Sequence, residues 1–538
     1  MAAKWLAGLT CLLLMGCAGG GGSAGGGAGN EGVNDDTTPA ETDHDGQDGP
    51  AADGSADNSA DEPTDGPSGP ADEDELPGPD EGDNENSTES PGQEPELDAE
   101  VLTLDVSLPS ESTGDAGGPL AVRLHLPAAD HTRYAEGAPI MVLVPGGHEA
   151  GMVSPDDEGL VRAAGDYGLI HVSYSMPGTL LPDVAGGSGG TYDYRGPACK
   201  RALADVLRFA TGELIDSEGA TIGDHLPFAL TNNVGVAALS HGGNLALTTL
   251  ADHGAEFARL AWLVCWESPI GDQYVTAELG GGHSGERLLN PYYTPGTSTL
   301  TDCPWPGMEN VLAFDAEQEF ALQDPADSEA YVLKGVFFLD ENGDGARSDG
   351  EFSFSPLGGP GETVGGNHLP KGYTSLELAA LIERRAAALF PDSVPAWLAP
   401  RAEVEAYWAD RDGSLVLEQA HAALPDMAVM AVAGISDHVQ AQPDHPHVRG
   451  FVNGWLDAGG RFVRLNPDSA YMAVVSGADA AGFPDNDANQ PIPYPGIDEL
   501  LQPRTVTSTT AMTAALLEMA DRVREGNLSV NLDAVLVP

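Results

Sequence analysis

Basic residues are scarce in this 538-residue chain, with 23 Lys and Arg against 84 Asp and Glu and a formal net charge of -61. A protein of that sign has little with which to hold a phosphate backbone, which argues against nucleic acid as a partner. The charge suits a hydrated, saline or extracellular setting and says nothing about a reaction. Cysteine is scarce too, at five residues. Cys11 and Cys17 fall in the leader, so Cys199, Cys265 and Cys303 allow one disulfide at most, and the sequence does not say which. A disulfide scaffold is excluded, and the fold must rest on a hydrophobic core. No apolar run reaches the roughly 18 residues that cross a bilayer. Histidine is absent after His447.

What is present begins with a leader. Lys4 supplies a positive start to residues 1–17, Trp5 to Leu13 an apolar core, and Leu14-Met15-Gly16-Cys17 a processing site. That tetrapeptide resembles a bacterial lipobox, whose cysteine is diacylated and becomes the new amino terminus. The expectation is a lipid anchor at Cys17 on the bacterial cell envelope, at the outer membrane or cell surface. Residues 18–98 are mostly Gly, Ala, Ser, Pro, Asp, Glu, Asn and Thr, with no Lys or Arg and almost no large apolar residue. Such a segment cannot bury enough apolar surface to offset ordering, and its like charges repel, so it reads as an extended acidic linker.

The length implies more than one structural unit. Val101 to Leu108 and Leu120 to Leu126 alternate apolar and polar residues, as half-exposed antiparallel strands do. Pro139 to Val144 is continuously apolar, reads as a strand covered on both faces, and runs into Pro145-Gly146-Gly147-His148. Helical and strand patterns then alternate: Asp156 to Tyr167, Leu169 to Tyr174, Pro197 to Thr211, Val234 to Leu239, Asn244 to Leu250, Leu260 to Trp266. That alternation implies right-handed crossovers and a parallel sheet. At its centre stands Asn233 to Leu245, in which an apolar run drives into Ser240 and a Gly-Gly pair leads into a helix. A serine on a sharp strand-to-helix turn needs small residues two before and two after, and Ala238 and Gly242 fill those places.

This stretch resembles the nucleophile elbow of the α/β-hydrolases, and the order of elements is similar to theirs. The resemblance implies an α/β-hydrolase fold: a mostly parallel sheet between helices, interrupted after its sixth strand by a large cap or lid. The divisions are then 99–271 and 421–538 for the core and 272–420 for the insertion. It implies Ser240 as nucleophile, backbone N–H groups of Gly146, Gly147 and His241 as oxyanion donors, and Asp437 in Gly434-Ile435-Ser436-Asp437-His438-Val439 as the orienting acid. No organic cofactor is implied.

Within the insertion, Asp340 to Glu351 fits Asp-x-Asn-x-Asp-Gly-x5-Glu without a gap. Side chains of Asp340, Asn342, Asp344, Ser348 and Glu351 and the carbonyl of Ala346 would surround a calcium ion, with Gly345 at the turn. The preceding Tyr331 to Leu339 reads as strand, so the loop is EF-hand-like. Ser375 to Leu389 is helical in pattern, Arg384 and Arg385 read as surface, and Trp397, Tyr407 and Trp408 as lid core. Beyond it, Met427 to Ala433 and Arg461 to Leu465 read as strands, His447 to Ala458 and Met512 to Glu525 as helices.

One part of the pattern is missing. The resemblance puts the general base in the loop after the last strand, which here begins Asn466-Pro467-Asp468-Ser469. His438 is the substitute assigned; His445, His447, His241 and His148 are the others within reach of the strand ends. Alternatively Asp468 stands in the histidine's place and the site is altered. Three readings follow: a surface-anchored serine hydrolase acting on an ester or peptide-like acyl bond of a small molecule or peptide; a catalytically inactive hydrolase-fold binding module; a calcium-stabilised surface protein with an incidental pocket. Substrate and oligomeric state are not legible.

Overall fold

The computed structural model describes residues 102–128, 130–147, 158–179, 187–271, 279, 290–295, 307–324, 329–348, 350–364, 367–437, 439, 444–486, 490–493 and 496–528. The leader, Cys17, the acidic linker, His148, Cys303 and His438 lie outside the described residues.

Two antiparallel strands, β1 (Leu102–Leu108) and β2 (Leu120–Leu126), lead the chain. β3 (Ala138–Val144) and β4 (Ile170–Tyr174) follow, with helix α1 (Glu158–Asp166) between them. Helix α2 (Pro197–Ala210), a short turn of helix α3 (Ile222–His225), β5 (Ala229–Leu239), α4 (Gly242–His253) and β6 (Leu260–Trp266) come next. After an insertion the sheet resumes with β11 (Ala428–Val432) and β12 (Val463–Leu465). The eight strands pair in the order β1-β2-β4-β3-β5-β6-β11-β12, parallel from β4 onward.

Strand β3 shows why a continuous apolar run was needed. Ile140, Val142 and Val144 point into one core, with Cys199, Leu203 and Leu247. Met141 and Leu143 point into the other, with Ala237, Val264, Leu516 and Met519. A strand with helices on both faces has no polar side to alternate with. The final helix Ser508–Glu525 closes the second face. Gly235 is required by contact: a Cβ there would lie 1.9 Å from the Trp262 indole, which covers it.

The insertion carries two hairpins, β7 (Leu312–Asp324) with β8 (Glu329–Leu339) and β9 (Leu357–Val364) with β10 (Asn367–Tyr373). Its helices among the described residues include α5 (Met308–Val311), α6 (Leu376–Leu389) and α7 (Arg401–Arg411). It has its own core, in which Phe337, Leu339, Phe352, Phe354, Leu381 and Trp397 pack together, with Tyr373, Val404, Tyr407 and Trp408 beside them. The aromatic residues expected as insertion core are there. Val439, two residues past Asp437, joins the same cluster, so the loop after β11 is packed against the insertion.

The remaining helices are α8 (Leu417–Ala423), α9 (Pro446–Asp457), α10 (Ser469–Ser476) and α11, the closing helix.

Candidate active site

Strand β5 ends at Leu239 and helix α4 starts at Gly242, so the chain must reverse direction over two residues. Ser240 does this with φ at 47°, a left-handed conformation that costs any residue with a Cβ. Its amide donates to Trp266 O (2.8 Å) and its carbonyl accepts from Gly243 N (3.0 Å), which pins the turn. The small neighbours are required by contact. A Cβ on Gly242 would stand 2.4 Å from Val144 O, and one on Gly243 2.3 Å from Ser268 Oγ. A strained serine held this firmly is a reason to look for function there.

The loop after β3 passes directly over it. A Cβ on Gly146 would come within 3.1 Å of Ser240 Cβ, and Gly147 sits at φ 53°. The buried Arg195 guanidinium grips this loop from behind, its Nη2 donating to Pro145 O (2.9 Å) and Gly146 O (2.8 Å). His241 follows Ser240 and is buried, its Nδ1 3.3 Å from Asn244 Nδ2.

Beyond β11 the chain turns at Gly434, whose amide donates to Glu267 Oε1 (3.1 Å) at the end of β6. Asp437 is buried, and its Oδ1 accepts from Val439 N at 2.7 Å. Its Oδ2 lies 2.8 Å from His447 Nε2 and 3.6 Å from His445 Nδ1. His445, at φ 40°, and the start of α9 bring both rings back to the carboxylate. His447 is fully buried, and its Nδ1 has no hydrogen-bond partner among the described residues. The assigned base, His438, lies outside the described residues.

At the end of β12, Asn466 (φ 68°) bonds Ala433 N and Leu500 O through its side chain. Asp468 caps helix α10, its carboxylate accepting from Ala470 N at 3.0 Å, while its own amide donates to Glu518. The residue in the histidine's expected place is thus occupied as a helix cap. Cys199 and Cys265 are free thiols; burial raises both, Cys265 to about 12, which leaves them protonated and poorly nucleophilic.

The acidic loop is distant in sequence and built differently. Asp340 Oδ1 accepts from Gly343 N (2.7 Å) and Asp344 N (3.1 Å), and its Oδ2 from Gly345 N (3.1 Å). Asn342 Oδ1 takes Asp344 N (2.8 Å), and Asp344 Oδ1 takes Ala346 N (2.9 Å). Buried Glu351 closes the loop on Glu341 N and on Ser348 N and Oγ. The Ser348 N–H lowers its carboxyl below the usual range. Among the described residues no three acidic, histidine or cysteine side chains converge as a formed metal cluster. The order of oxygen donors and the left-handed Gly345 (φ 76°) nonetheless fit a calcium loop.

The strand order, the two leading antiparallel strands and the turn at Ser240 make this an α/β-hydrolase fold. No protein-family model matches the chain, and no curated protein matches it. Among solved structures, an esterase from Pyrobaculum calidifontis is similar at 22% identity over 32% of this chain and 46% of its own, with a TM-score of 0.23. Carboxyl esterase 2 from Tuber melanosporum aligns at 12% identity over 69% of this chain and 77% of its own, with a TM-score of 0.31. A hypothetical protein from Pseudomonas aeruginosa gives 12%, 69%, 86% and 0.31 in the same terms. The chain spans about half the length of the first of these. At such scores the likeness carries no argument about activity.

Proposed function

We propose that the chain is a serine hydrolase acting on an ester or peptide-like acyl bond. The observation that carries this is Ser240 at φ 47° with Gly146 packed against it. In this reading Ser240 Oγ attacks the acyl carbon while a histidine takes its proton. N–H groups of Gly146, Gly147 and His241 receive the oxyanion. The histidine returns the proton to the departing alcohol or amine as the bond to the acyl carbon breaks. Water, deprotonated by the same histidine, then hydrolyses the acyl-serine to the acid and free Ser240. The base is drawn from the three histidines that follow Asp437: His438, and the pair His445 and His447 that stands on its carboxylate. A fluorophosphonate probe, which reacts with activated serines, tests this reading.

Asp468 supports the competing reading of a silent binding module, since its place after β12 is taken up by capping a helix. Absence of labelling in folded wild-type protein favours that reading.

Calcium is part of the proposal. Asp340, Asn342, Asp344, the Ala346 carbonyl, Ser348 and Glu351 would hold the ion, which supplies no step of the reaction. Bound there, it would tie the end of β8 to Phe352 and Phe354 in the insertion core. Calcium is expected to raise the melting temperature over protein in EDTA, at an affinity of about 10⁻⁴ to 10⁻³ M. Identical melting curves in the two conditions, with Glu351→Gln behaving as wild type, would leave only a surface turn.

The cellular setting rests on the leader alone. A fatty-acid analogue should label the wild-type chain in bacterial cells and not Cys17→Ala. Equal labelling of both removes the anchor and the envelope location with it.

A further inference from the structure

We infer that Arg195 is the positioning residue of the oxyanion loop, and that Arg411 from the insertion holds Arg195 in place. The inference rests on the hydrolase reading above. One nitrogen of the Arg195 guanidinium bonds two successive carbonyls, Pro145 O and Gly146 O. A trans, planar peptide directs its N–H opposite its C=O. The N–H groups of Gly146 and Gly147 are therefore turned away from the arginine. Gly146 itself lies against Ser240. The cation draws electron density through both amides, making their N–H groups stronger donors, and it fixes them before any charge develops.

The arginine does not hold that position by itself. Tyr194 and Arg195 both sit at positive φ, 58° and 64°, a conformation that persists only where the surroundings impose it. Two features impose it. From one side Asp193 caps helix α2, its carboxylate accepting from Gly196 N (3.0 Å), Ala198 N (2.6 Å) and Cys199 N (3.3 Å). From the other, buried Arg411 at the end of α7 donates to Tyr194 O and Asp193 O, each at 2.7 Å. Arg411 is itself fixed, stacked on the Tyr407 ring at 4.4 Å and bonded to Tyr407 O. Its neighbour Asp410 pairs with buried Lys200 at 3.0 Å. The insertion thus reaches the oxyanion loop through two arginines. A lysine cannot replace Arg411, because a single ammonium lacks the rigid fork by which Nε and Nη2 span two carbonyls.

The test uses the full chain, p-nitrophenyl butyrate as substrate, and a trifluoromethyl ketone whose serine adduct carries an oxyanion. Arg195→Met is expected to lower kcat about 10- to 100-fold, less than the roughly 10²- to 10³-fold of losing a donor outright. KM should change little, while the ketone's inhibition constant should rise in step with the fall in kcat/KM. Arg411→Lys is expected to shift both in the same direction by a smaller factor. Folding is checked by near-ultraviolet circular dichroism; if Arg195→Met does not fold, Arg411→Lys decides. Folded variants with wild-type kcat and ketone affinity would overturn the inference while leaving the hydrolase reading intact. Wild-type protein that neither turns over nor labels would overturn the hydrolase reading, and this inference with it.

Discussion

Replacing Ser240 with alanine is expected to abolish fluorophosphonate labelling and to lower ester turnover by about 10⁶-fold, the scale seen when a nucleophile is removed from an acyl-transfer site. Alanine keeps the Cβ, so the turn at φ 47° is no more strained than before and the fold should be unaffected. The loss therefore reads chemistry and not stability. Three further variants locate the base. His438→Ala, His445→Ala and His447→Ala should each be labelled beside the wild type, and the one that loses labelling while remaining folded marks the proton acceptor. Asp437→Asn should weaken labelling as well, because the base would lose the carboxylate that orients it. Labelling that persists in Ser240→Ala would place the reactive serine elsewhere, and a wild type that never labels would end the hydrolase reading.

Much of the core was legible because its signals are local. The strands β3 and β6 are short apolar runs bounded by Gly, Pro or charged residues, and β3, β4 and β6 appear within a residue or two of their expected limits. The turn at Ser240 was legible for a steric reason, since a Cβ at Gly242 or Gly243 would run into Val144 O or Ser268, so the turn demands the small residues the sequence shows. Strand β5 begins earlier than its apolar pattern suggests, because Thr231 and Asn232 are polar yet precede a fully buried run. The insertion was harder. β9 reads Leu-Gly-Gly-Pro-Gly-Glu-Thr-Val, and three glycines and a proline conceal a strand that pairing with β10 creates. Helix α7 is short and densely charged, so its buried face of Val404, Tyr407 and Trp408 is a weak periodic signal.

The site was legible in part for a different reason. Asp437 and His447 are ten residues apart, and only the return of the chain through His445 at φ 40° brings them to 2.8 Å. Nothing in a one-dimensional pattern states that return. Arg195 is less visible still: one arginine in a turn, whose role depends on carbonyls fifty residues away. Asp468 is legible in another way: an Asp before Ser-Ala-Tyr-Met is a good helix cap, and the residue that stands in the histidine's expected place is used as one.

The largest loss of stability is expected from Asp521→Ala. Asp521 lies on α11, fully buried, and accepts Arg133 Nε and Nη2 at 2.6 and 2.5 Å in a two-pronged pair. It also accepts the hydroxyls of Tyr134 (2.8 Å) and Tyr471 (2.9 Å). Burial first, and then the Asp521 charge, raise both phenols, so both remain protonated donors. These partners come from the loop between β2 and β3 and from α10, so one carboxylate joins three parts of the chain. Removing it takes this carboxylate away from an arginine side chain that is 2% exposed and from two buried hydroxyls. Breaking a buried pair from one side costs about 3–5 kcal/mol, because the remaining charge keeps its desolvation penalty and loses its compensation. Denaturant unfolding of Asp521→Ala should show a loss of that size. Asp521→Leu combined with Arg133→Met removes both charges and should recover a large part of it. A double variant as unstable as the single would show that packing around α11, and not the loss of the carboxylate from the guanidinium, sets the cost.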